Sequence, residues 1–61
     1  MTLKEFRRKK GLDQSSMAKI IGVSISYYSK VETGYRNPSY DFLKKFKEAF
    51  PSISVDKMFF K

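Results

Sequence analysis

Between Gln14 and Thr33 the apolar residues Met17, Ile21, Val23, Tyr28 and Val31 recur at helical spacing, broken once at Gly22. Two short amphipathic helices facing one side, joined by a tight turn, account for that pattern. Ala18 falls where the first helix passes closest to the second, and a larger side chain there would force them apart. Gly22 comes just after Ile21, where a chain leaving a helix usually needs φ > 0. Val23 fills the elbow, and Ser24 supplies a hydroxyl to accept an amide hydrogen bond at the start of the second helix. Helical spacing interrupted by one turn is what a helix-turn-helix unit needs. Any small helical bundle shares its periodicity, so the function must be argued from other residues.

Three further helices extend the pattern. Thr2 and Glu5 form a capping box that opens a first helix from about Leu3 to Lys10, with Leu3 and Phe6 inward. Gly11 ends it, and Leu12 folds back onto it. Asp13 caps the second helix, Gln14 to Ile21, and the third runs from Ile25 to Thr33 before Gly34. Tyr35-Arg36-Asn37-Pro38 reads as a turn. Ser39 caps a fourth helix that continues to Phe50, with Leu43, Phe46, Ala49 and Phe50 as its buried stripe and Phe42 at the flank. Pro51 blocks continuation. Ser54 and Asp56 start a last helix from Val55 to about Phe60. The expectation is an all-α single domain over residues 1–61.

Charge narrows the function. Thirteen Lys and Arg against six Asp and Glu leave +7 on 61 residues. Such an excess suits a polyanionic partner, through counterion release. Solubility, or attachment to an anionic membrane surface, would also use it. The run Arg7 to Lys10 has a structural reading too, since cations at a helix C-terminus complement the macrodipole. No stretch is apolar enough to span a bilayer and no signal peptide is apparent, so a cytoplasmic protein is expected. The chain has no Cys and no His, and it shows no phosphate-cradling glycine loop and no carboxylate pair in an apolar setting. An enzyme, a metal site and a cofactor are not expected. The core must come from apolar side chains, and six Phe and four Tyr suit that need.

The segment Gln14 to Gly34 resembles the helix-turn-helix of the Cro/C1 (Xre-like) family of bacterial and phage transcriptional regulators. The ordered set Gln14, Ala18, Gly22, Ser24, Glu32, Gly34 and Asn37-Pro38 carries the likeness. Leu3-x-x-Phe6-Arg7, Lys10-Gly11-Leu12, and Ile53 to Phe59 extend it over nearly the whole chain. Two departures stand out. Asp13, Ser15 and Ser16 occupy positions where the family often has Thr and an acidic pair, which removes negative charge near the expected phosphate path. Ile25 stands where a polar or basic residue is common.

The resemblance implies a five-helix, lambda-repressor-like domain that puts its third helix, N-terminus first, into the DNA major groove. Ile25, Ser26, Ser29 and Lys30 would meet base edges. Ile25 offers an apolar surface to a thymine methyl, the serines discriminate weakly, and Lys30 can donate to guanine. Gln14, Ser15, Tyr27, Tyr35, Arg36 and Asn37 are the candidates for phosphate contact, with Lys19 weaker. Tyr27 is equally a rim aromatic packing on the core. Lys44, Lys45 and Lys47 supply general field. Arg7 and Glu32 resemble a family ion pair tying the first helix to the third. The implied partner is a double-stranded operator. Met58, Phe59 and Phe60 make an apolar C-terminus of which one or two cover the core; Phe60 and Ile53 are then left for a homodimer contact, unless the core takes them all. A phage-type or mobile-element repressor is the first reading. The second is a protein-interaction module of the same fold, such as an antitoxin engaging its toxin. The third is a basic membrane binder.

Overall fold

The computed structural model describes residues 2–59. It contains five helices and no strand among them: α1 Leu3–Lys9, α2 Gln14–Ile21, α3 Ile25–Glu32, α4 Tyr40–Ala49 and α5 Val55–Phe59. The boundaries follow from local chemistry. Thr2 accepts from the Glu5 amide while the Glu5 carboxylate accepts from the Thr2 amide, closing the capping box. Asp13, Ser24 and Ser39 each accept from the amide three residues on, at 2.7, 3.1 and 3.1 Å. These caps satisfy donors that a helix of two turns cannot afford to leave exposed to chance.

The C-termini are equally determined. Gly11, at φ +71°, donates to the Arg8 carbonyl while Leu12 donates to that of Arg7, a Schellman arrangement. Gly22, at φ +96°, turns the chain between α2 and α3, and the amides of Gly22 and Val23 both reach the Ala18 carbonyl. The expected ends of the first, third and fourth helices move inward by one residue, and Phe50 is the cap of α4. Lys10 and Thr33 are caps rather than helical positions.

α2 packs on both α3 and α4, and α5 closes on α4. Met17, Ala18, Ile21, Tyr28 and Val31 are buried, and Val23 is half-buried in the elbow. The other half of the core is aromatic. Phe6 meets Phe46 and Phe50 edge-on at 5.8 and 5.0 Å, and Phe59 sets its edge against Phe42 and Phe46 at 5.9 and 5.5 Å. Such pairs add to simple area burial. This core corrects the expected stripe on α4. Phe42 is fully buried at its centre rather than at the flank, while Leu43, Ala49 and Phe50 are half-buried. The reason is that α5 and Tyr27 both converge on the Phe42 ring. Met58 belongs to the core and Phe59 largely covers it; Phe60 lies outside the described residues.

Open space surrounds the position a Cβ would take at Gly22, so the cost of a side chain there is conformational alone. Gly22→Ala is expected to destabilise the domain by about 1–2 kcal/mol. Chemical denaturation would register this as a lower midpoint at unchanged m-value.

Candidate nucleic-acid interface

The site is built around one carboxylate. Glu32, in the last turn of α3, has a side chain only 2% exposed. It accepts from Arg7 Nε at 2.8 Å and Arg7 Nη2 at 3.1 Å, a two-pronged pairing from α1. It also accepts from Gln14 Nε2 of α2 at 3.0 Å and from the Tyr28 hydroxyl at 2.6 Å. Arg7 Nη1 continues to the Leu12 carbonyl at 2.9 Å. Three helices and the α1–α2 turn are thus fixed to one group. Burial pushes the Glu32 carboxyl up, but the hydrogen bonds from Arg7, Tyr28 and Gln14 outweigh it and hold the group at about 2. Burial, and then the hydrogen bond to Glu32, raise the Tyr28 phenol above its ordinary value. The partner carboxylate likewise raises Arg7.

This frame presents the outer face of α3. Ile25 is 51% exposed, Ser26 and Lys30 are exposed, and Ser29 is half-buried. Tyr28 and Val31 turn inward, so the four candidate base-reading side chains share the N-terminal and outer surface of a helix whose other face is in the core. Ser15 is exposed at the start of α2. Gln14 beside it is half-buried through its bond to Glu32. Its amide nitrogen carries two hydrogens, and Glu32 uses one of them.

The loop after α3 carries the remaining candidates. Tyr35, Arg36 and Asn37 are exposed, and the Arg36 amide donates to the Lys30 carbonyl at 3.0 Å. Arg36 and Asn37 join Ser24, Tyr27 and Lys45 around an open depression of about 400 Å³ beside the start of α3. Tyr27 is half-buried, its ring edge-on to Phe42 at 5.8 Å. Its hydroxyl accepts from the Ser39 amide at 3.0 Å. Tyr35 is not among the residues that line that depression.

Several features lie outside what the sequence predicts. The Tyr28 hydroxyl takes part in the Glu32 cluster, although helical spacing assigned Tyr28 to the core alone. Its i,i+4 distance from Glu32 was the available signal. The α4 lysines also differ from one another. Lys45 pairs with Asp41 at 3.2 Å and donates to the Gly22 carbonyl at 3.4 Å, while Lys47 donates to the carbonyls of Pro51 and Ile53. Lys10 lies over the Phe6 and Phe50 rings, 5.5 and 5.7 Å from their centroids.

α2, the Gly22 turn and the half-exposed α3 form a helix-turn-helix unit. A helix-turn-helix family model matches residues 3–58, and the chain belongs to that Cro/C1-type, Xre-like family of DNA-binding regulators. The family is not typically enzymatic. No curated protein and no solved structure gave a significant match. Among the described residues, no helix is long and apolar enough to cross a membrane.

The depressed Glu32 value carries a sign. A carboxyl held at about 2 when folded and at its ordinary 4.5 when unfolded stabilises the fold above pH 4.5. That contribution is lost as pH falls from 4.5 toward 2. Glu32→Gln should cost about 3 kcal/mol at pH 7, because the half-buried Arg7 charge loses its counter-charge. The variant should also lack this acid-dependent loss. Denaturation midpoints of both proteins from pH 7 to 2 test the two statements together.

Proposed function

We propose that the protein binds a specific double-stranded DNA operator and represses transcription, as a regulator of the phage or mobile-element type. The observation that carries this reading is the face of α3. Ile25, Ser26, Ser29 and Lys30 keep surface free while the helix behind them is fixed through Glu32. In the major groove, Lys30 donates to guanine O6 or N7, Ile25 packs on a thymine methyl, and Ser26 and Ser29 adjust to either base edge. Affinity comes mainly from phosphates, through Gln14, Ser15, Tyr27, Tyr35, Arg36 and Asn37. The Arg7–Glu32 pair sets the angle at which α3 enters the groove.

Two copies bind together, with α3 helices about 34 Å apart on successive major grooves. Because Met58 is committed to the core, the contact between copies falls on the open portions of Ile53 and Phe59.

Selection from random duplexes tests the reading, since it reports both sequence preference and half-site spacing. Lys30→Ala should relax preference at one base pair, by about 1–3 kcal/mol of discrimination. Arg36→Ala should weaken all sequences alike and lower the log–log salt slope by about 1. A slope of about four to six per subunit is expected for the unmodified protein. DNA binding left untouched by both substitutions would overturn this docking of α3, whereas a selection that enriches no duplex would favour a protein partner, as for an antitoxin-like module.

A further inference from the structure

We infer that Tyr27 is a positioning residue that slaves the phosphate-gripping loop to the reading helix. The inference rests on the DNA-binding reading above and adds to it how the loop is held. Tyr27 lies on α3, between the candidate base-reading residues Ser26 and Ser29. Its ring meets Phe42 of α4 edge-on, and its hydroxyl accepts from the backbone amide of Ser39, the α4 cap. Ser39 closes the loop that begins after α3 and carries Arg36 and Asn37. At the loop's other end the Arg36 amide donates to the Lys30 carbonyl, again on α3. Both ends of the loop are therefore fastened to α3 itself, one through a side chain and one through backbone.

The chemistry of the phenol allows more than fastening. A tyrosine hydroxyl has one proton to donate and can accept as well. The Ser39 amide uses its accepting side, so the proton stays available to the depression that Arg36, Asn37 and Lys45 border. An oxygen that already accepts a hydrogen bond is a better donor through its own proton. Tyr27 thereby joins loop to helix and, on DNA, presents a strengthened donor to a phosphate oxygen. Arg36 reaches its phosphate only when α3 is seated, because the loop moves with α3.

Tyr27→Phe removes the hydroxyl and keeps the ring on Phe42, so the core is preserved. In the protein without DNA, the Ser39 amide should lose protection from hydrogen exchange, while amides within α2 keep theirs. Unchanged Ser39 protection would overturn the inference whether or not the protein binds DNA. On a selected duplex, Tyr27→Phe should weaken binding about three- to tenfold at every sequence. The Tyr27→Phe and Arg36→Ala losses should also be non-additive, with Arg36→Ala costing less in the Tyr27→Phe background. A side chain that only contacted phosphate, or only stabilised the fold, would give additive losses, and additivity would equally overturn the inference.

Discussion

The fold depends on the hydrogen-bonded carboxylate of Glu32. Burying a charge is costly unless opposite charge and donors surround it, and here Arg7, Gln14 and Tyr28 do so from α1, α2 and α3. A domain of 61 residues has a thin apolar core, and no disulfide braces it. Aromatic packing sets the distance between helices but tolerates some sliding. The fork between Arg7 and Glu32 does not, because two parallel hydrogen bonds fix both separation and direction. The polar cluster therefore supplies the orientation that the aromatic layer leaves loose.

The surface inherits that division. α3 is held from behind by Glu32 and Tyr28, and the loop after it is tied to the same helix at Lys30 and Tyr27. On the far side of the turn, Lys45 reaches the Gly22 carbonyl. The lysines that looked like a uniform field on α4 are thus partly engaged in structure. Lys47 holds the chain reversal at Pro51 and Ile53, while Lys44 remains at the surface.

Most of the architecture was legible in the sequence because each helix carries its own start signal. Thr2, Asp13, Ser24 and Ser39 all cap where the side-chain chemistry places them, and glycine marks the turns. The α4 interior was harder to read. Phe42, Leu43, Phe46, Ala49 and Phe50 span more than one face, and only the arrival of α5 and Tyr27 decides that Phe42 is central. The candidate interface was legible through resemblance rather than periodicity. Nothing in the spacing of Gln14 and Glu32 says that they meet, since they lie 18 positions apart and on different helices. The bond between Tyr27 and Ser39 is hidden for the same reason.

The brevity of α3 has a consequence for information. Eight residues rise about 12 Å, which matches three or four base-pair steps of B-form DNA. On the reading proposed above, a word that short recurs about every 60 to 260 base pairs, far too often to mark one address among the many competing sites of a genome. Whatever selectivity this helix achieves must be multiplied by repetition of the domain along the duplex, or by the shape of DNA at positions no side chain touches.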